Sequence, residues 1–209
     1  MKSLQCALLS LYLVRFTSGS PCRLGGYKNL QPQFGLGCMY RCHCVNDEQC
    51  DFDTGECRRG CAAGWMGPGC QYGDIAFGKA SKQKTTYDTY SGPEKAVDGD
   101  VSTCSLTTSQ YDQWWRVDLA STSRISELII TSNGTNNLNG LEVRLGNDSS
   151  DTAADYPFLC FKHNSNDRIQ TVENVMCQTE VAARHIILLM PGKSTLLSLC
   201  DVRVYGCRH

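Results

Sequence analysis

Asp98 and Asp100 flank Gly99, and two carboxylates on one tight turn can converge on a hard cation, which takes six to eight oxygen ligands at ~2.3–2.6 Å. A solvated Asp-Gly turn is the alternative use of the same residues. Cys42, His43 and Cys44 bring soft donors together, either as part of a zinc cluster or as half-cystines around a histidine. Catalysis finds little to work with. The histidines, His43, His163, His185 and His209, have no neighbouring motif for a base, and no G-x-S-x-G occurs. Gly192-Lys193-Ser194 has the ending of a phosphate loop, but the earlier glycine that such a loop needs is Ile187, so the segment reads as a loop between strands. Asn133-Gly134-Thr135 and Asn147-Asp148-Ser149 are N-glycosylation sequons.

What holds such residues in place depends on the compartment. The chain has 209 residues with 20 Lys+Arg against 21 Asp+Glu. A formal net charge of -1 argues against nucleic acid or an anionic membrane as a partner. Its 14 cysteines are too many for a reduced compartment unless they bind metal. Lys2, the apolar stretch from Ala7 to Val14, and the small residues Thr17 and Gly19 form the pattern of a secretory signal peptide over residues 1–19. A buried N-terminal helix is the alternative. Further on, the longest aliphatic run, Ile186 to Met190, stops at Pro191, far short of the ~20 residues of a membrane span. The expected product is soluble, secreted and extracellular.

Cysteine density divides the remainder near Gly73. Eight cysteines lie between Cys22 and Cys70 and five between Gln71 and His209, giving a disulfide-rich module at 20–73 and a second domain at 74–209. The first segment is too short and too poor in aliphatic residues to fold on burial alone, so crosslinks must supply its stability. Its string FGLGCMYRCHCVNDEQCDFDTGECRRGCAAGWMGPGC resembles an EGF-like repeat of the laminin or multiple-EGF type, with the usual C-x-C widened to Cys57-Arg58-Arg59-Gly60-Cys61. That resemblance implies the bridges Cys42–Cys50, Cys44–Cys57 and Cys61–Cys70, with Cys22–Cys38 closing the remnant of a preceding unit. An oxidising compartment favours these disulfides over zinc.

In the second domain apolar runs recur at 114–119, 125–130, 141–145, 185–190 and 197–205, separated by Gly, Asn, Ser and Asp clusters and without a sustained helical period. They predict an all-β fold, an antiparallel β-sandwich or jelly roll. Four stretches in order, IAFGKAS, KAVDGDVSTC, QWWRVDLASTSRISELIIT and LLSLCDVRVYG, resemble the F-type lectins, or fucolectins, which are related in fold to discoidin domains. The resemblance runs from Asp74 to Tyr205. It implies the bridges Cys104–Cys200 and Cys160–Cys177. It also implies a Ca²⁺ shell from Asp98, Asp100, Thr103 and Asp201 with the carbonyls near Lys95 and Cys200. Asp201 stands where the family usually has Glu, and the adjacent cysteine pair that lectin members place beside the sugar is missing.

The sugar site is where the chain departs from these relatives. Family members hold fucose with a His two residues after the first cysteine, then Arg-x-Asp, then another basic residue about five positions on. Those positions fall here on Leu106, on Asn133-Gly134-Thr135, and on 136–140, a stretch without a cation. Arg116, Asp118 and Arg124 mimic the spacing, but they belong to a scaffold strand, where Trp114 and Trp115 help fill the core and Arg116 pairs with a carboxylate. Charge-assisted hydrogen bonds to sugar hydroxyls are worth roughly 1.5–3 kcal/mol each, so fucose should bind weakly. A glycan on Asn133 would cover the pocket.

The sequence therefore predicts a non-enzymatic, calcium-binding, lectin-like recognition protein with glycans or extracellular proteins as partners. Leu106, Asn133, Asn137 and the segment Asp155 to Phe158 form its expected rim. The alternative is a protein-interaction scaffold related to EGF-bearing receptor ectodomains. Loss of Cys6 with the leader leaves thirteen cysteines, of which the implied bridges use twelve. Cys207 is left over, predicting a free thiol or a disulfide-linked homodimer unless it exchanges with Cys22.

Overall fold

The computed structural model describes residues 32–35, 38–134, 138–152, 155–163 and 171–208, with the backbone alone for 178–180, 207 and 208. The leader at 1–19, Cys22, Asn137 and His209 lie outside the described residues. Two compact units divide the chain, Met1–Asp74 and Ile75–His209. No helix among the described residues is long and apolar enough to cross a membrane.

Backbone ladders contribute little to the first unit. Strand β1 (Gln33–Phe34) pairs with β2 (Tyr40–Arg41), and β3 (Trp65–Met66) with β4 (Tyr72–Gly73), each two residues long. The disulfides Cys42–Cys50, Cys44–Cys57 and Cys61–Cys70 hold it together instead. Cys42, Cys44, Cys50, Cys57 and Cys70 form a buried cluster with Phe34, against which the partly buried Cys61 packs. Gly55 lies at φ +79°, and a Cβ there would meet the Phe34 ring at 2.5 Å. Only glycine combines that backbone with that contact. The sulfurs of Cys42, Cys44 and Cys50 cluster closely, yet each is already in a bridge, which removes the zinc alternative. Cys38 is also disulfide-bonded.

The second unit has an all-β fold with antiparallel pairing throughout and a 3-10 turn at Pro93–Ala96. Its strands are β5 (Ala80–Gln83), β6 (Ser105–Leu106), β7 (Gln110–Thr131), β8 (Glu142–Gly146), β9 (Phe158–Lys162), β10 (Val172–Thr195), β11 (Ser198–Leu199) and β12 (Asp201–Arg208). The main sheet runs β12-β7-β10-β8-β9 with β5 also on β7, while β6 pairs with β11. Two apolar runs expected as separate strands, 114–119 and 125–130, are halves of β7. Between them residues 119–122 face only Arg184, because the register jumps from Asp118↔His185 to Ser123↔Ala183. The ends of β7, Gln110 and Thr131, pair with Thr195 and Asp201, six residues apart. A strand whose two ends meet so short a segment must run along one layer and return in the other, and β10, paired with it on both passes, does the same. Ala120 takes the bend at φ +67°, its N–H donating to Asp118 Oδ1 at 2.8 Å.

The layers enclose Trp115, Val117, Ile125, Ile130, Ile186 and Leu188, all fully buried. Trp115 satisfies its indole N–H at the Pro93 carbonyl, 2.9 Å away. On the opposite face of β7, Trp114 packs against Tyr156, Ile187 and Leu189. Disulfides Cys104–Cys200 and Cys160–Cys177 tie loops to strands.

One expectation needs correction. Gly192-Lys193-Ser194 is not a plain loop: it falls within β10, at the register shift between Met190 and Ser194, where Gly192 takes φ +67°. The backbone of Cys207 is laddered in β12 opposite Arg124; its side chain lies outside the described residues.

Candidate functional site

The doubling-back of β7 and β10 gives the sandwich two ends. At the bend lie Asp118, Arg184 and His185. Asp118 receives both Arg184 Nε and Nη2, at 2.7 and 2.8 Å, and these bonds hold its carboxyl down at about 2. His185 is 2% exposed, and burial pushes its imidazole below its ordinary value. Arg116 is buried and donates Nε to Asp151 Oδ1 at 2.8 Å, the carboxylate pairing expected of it. Arg124 sits in β7 between Ala182 and Cys207. The mimic of the sugar motif is thus built into the scaffold.

Asp155 to Phe158 belongs to this same bend end and not to the expected rim. Phe158 pairs with Leu145, and Tyr156 is buried with its hydroxyl donating to the Ser150 carbonyl at 2.9 Å. Asn147, one of the two sequons, is also here, accepting the Arg184 N–H at 3.2 Å through Oδ1.

The opposite end gathers the remaining candidates. The Cys104–Cys200 bridge joins the Asp98 turn to the start of β12. Asp98 Oδ1 accepts the Asp100 N–H at 3.0 Å, and Oδ2 accepts the Thr103 hydroxyl at 2.7 Å with the Lys95 ammonium 3.7 Å away. Asp201 is only 2% exposed. Burial is the main force raising its pKa; the negative charge of Asp98 adds to it, and Arg203, whose Nε lies 2.6 Å from Oδ2, opposes it. Asp100 Oδ1 accepts the Ser102 N–H and hydroxyl at 2.9 and 2.6 Å, so both carboxylates of the turn hold donors from within it. Asp98, Asp100, buried Asp201 and the Thr103 hydroxyl offer the oxygen donors that suit a hard cation.

Beside this patch is Leu106, whose backbone is bracketed by a short arch. The Tyr87 N–H donates to the Leu106 carbonyl at 2.9 Å, and the Leu106 N–H donates to the Ser91 carbonyl at 3.2 Å. Tyr87 and Tyr90 project from the arch with 63% and 83% of their surface exposed. Asn133, exposed, follows the end of β7 at this same end. Lys193 reaches over to the loop after it, donating from Nζ to the Asn139 carbonyl at 2.8 Å. No single stretch of sequence contains that cation and that loop together, so spacing could not join them. The two tyrosines were legible as aromatics in the turn-rich string TTYDTYSG, which has no apolar periodicity to send them inward.

Residues 95–188 match a family model described as a NedA-like, galactose-binding domain. A pentraxin fusion protein of Xenopus laevis is 25% identical over 135 residues, which are 59% of this chain and 31% of that protein. Fucolectin-1 of Anguilla japonica is 28% identical over 121 residues, 54% of this chain and 66% of that one. This chain thus spans less than two thirds of either relative. A fucolectin structure from the serum of Morone saxatilis, the striped bass, superposes with a TM-score of 0.58 at 25% identity, covering 66% of this chain and 50% of that one. With the antiparallel topology described above, the second unit has an all-β sandwich fold like that of the fucolectin structure.

Proposed function

We propose that this is a secreted, calcium-stabilised, lectin-like protein that recognises carbohydrate at the Leu106 end of its second unit, with the first unit as an EGF-like module. The observation that carries the proposal is the convergence of the Asp98 turn, buried Asp201 and the Leu106 arch at one end of a sandwich whose relatives include proteins named fucolectins. A buried carboxylate raised in pKa beside a second carboxylate carries an electrostatic cost, and a divalent cation removes it. Asp98, Asp100, Asp201 and the Thr103 hydroxyl would hold the ion, with the carbonyls near Lys95 and Cys200 as further donors. Bound there, Ca²⁺ would supply a fixed positive charge that tethers the turn to β12.

Specificity differs from that of fucose binders with basic donors, since Leu106 and Asn133 offer no cation. A glycan array run with and without EDTA tests the proposal: binding that falls on chelation supports it, and an array without signal refutes it. The missing donors favour a second reading, a protein-interaction scaffold, which predicts that silent array. The signal-peptide pattern at 1–19 and the density of disulfides support secretion. The odd cysteine count includes a Cys207-bridged homodimer in the proposal, to be read from mobility on non-reducing gels against Cys207→Ser.

A further inference from the structure

We propose that the arch from Tyr87 to Ser91 is a subsite for a neutral pyranose, with Tyr87 and Tyr90 as stacking faces and the Asp88 carboxylate as an acceptor for sugar hydroxyls. This rests on the carbohydrate reading above and specifies which chemistry replaces the absent cationic donors.

Large aromatic side chains on a loop usually turn inward to bury their area, yet these two are 63% and 83% exposed. The loop that carries them is held at several points. Gln83 Nε2 donates to the Thr86 hydroxyl at 3.0 Å and to the Ser91 carbonyl at 2.9 Å, while Leu106 closes the arch through its N–H and carbonyl. Asp88 Oδ1 accepts the Tyr90 N–H at 2.9 Å and the Ser91 hydroxyl at 2.7 Å. The aromatic residues are therefore presented on a backbone that is already ordered, which lowers the entropic cost of binding. A pyranose ring has an apolar face of C–H groups that suits such a surface.

Asp88 sets the polarity. Hydrogen bonds from Ser91 and Tyr90 hold its carboxyl below the ordinary range, so it stays ionised, and Oδ2 is left to accept from hydroxyl donors. A carboxylate at this point attracts neutral polyols and repels sialic or uronic acids. The recognition is of opposite sign to one based on arginine and histidine.

The test uses the full chain on an array of neutral oligosaccharides ending in galactose, fucose or N-acetylglucosamine, printed beside their sialylated counterparts. Wild type should bind neutral glycans better than the sialylated ones. Tyr87→Ala and Tyr90→Ala should each lower the neutral signal at least about fivefold, whereas Tyr90→Phe, which keeps the ring, should retain most of it. Unfolding midpoints should be unchanged, since both side chains are exposed. Neutral binding that survives both alanine substitutions overturns the subsite while leaving the carbohydrate reading intact. Preference for sialylated glycans overturns the role of Asp88. A wild type that binds nothing overturns both the subsite and the reading beneath it.

Discussion

Asp118→Asn separates scaffold from sugar site most cleanly, because Arg116, Asp118 and Arg124 have the residue types and spacing of a fucose motif. The substitution removes the charge but keeps an oxygen able to accept the Ala120 N–H, now 2.8 Å from Asp118 Oδ1. Lowering a carboxyl from 3.8 to about 2 corresponds to roughly 2.4 kcal/mol at 1.36 kcal/mol per pH unit. The Arg184 side chain is 45% exposed and that of Asp118 27%, so solvent screening reduces this to about 1 kcal/mol. Near neutral pH the variant should unfold about 3–6 °C lower, with glycan binding unchanged. The sign follows from the depressed folded-state pKa. The stabilisation is fully present above the ordinary carboxylate value and is lost as pH falls toward about 2. Wild type and variant should therefore converge in urea denaturation in strong acid. Loss of glycan binding without loss of stability would show that the bend end, and not the Leu106 end, contacts sugar.

At the opposite end, a hundredfold excess of Ca²⁺ over its dissociation constant should add roughly 2.7 kcal/mol of stability, read as a melting temperature that drops in EDTA; an unchanged curve after verified metal removal refutes the site. In chelator, the raised Asp201 pKa predicts stability that declines as pH rises from the ordinary carboxylate range through the folded-state value. Asp201→Asn should remove that contribution and the response to Ca²⁺ together, and a variant that still responds would exclude Asp201 as a ligand. Free L-fucose should bind deglycosylated protein weakly in titration calorimetry, and Leu106→His alone should restore little; tight binding would mean that the donor positions are misassigned. Gly55→Ala should destabilise the first unit by about 1–3 kcal/mol through positive φ and contact with Phe34, measured by unfolding under non-reducing conditions.

Legibility followed the range of the interaction. Alternation along the strands exposed the all-β class because Trp115, Val117 and Ile186 had to face one core. The same apolar runs could not reveal that 114–119 and 125–130 are one folded-back strand. That fact resides in the bulge opposite Arg184 and in Ala120 at positive φ, a conformation that alanine rarely adopts. The half-exposed edge strand β9, the short β5 and the first half of β10 carry mixed side chains and were not legible as strands. Asp155 to Phe158 lies at the opposite end of the sandwich from Leu106 and Asn133, because sequence distance says nothing about which end a loop occupies; the pairing of Phe158 with Leu145 decides it. The internal bonds of the Asp98 turn were not legible from spacing either: Asp98 accepts the Asp100 N–H and the Thr103 hydroxyl, and Asp100 the Ser102 N–H and hydroxyl.

The separation between what holds the sandwich and what lines its end explains how recognition can change while the fold persists. Trp115 is anchored by burial and by the Pro93 carbonyl, and the Cys104–Cys200 bridge fixes the Asp98 turn to β12; replacing either would open a cavity or release a loop. Leu106, by contrast, contributes its backbone to the arch through Tyr87 and Ser91, and those bonds do not depend on its side chain. Histidine or leucine at that position satisfies the same ladder. Asn133 likewise lies beyond the end of β7, exposed, where a change of side chain leaves the core residues in place. Sequence similarity spread across strands and bridges therefore reports the architecture, whereas the ligand is decided by a few loop positions that the architecture leaves free to vary.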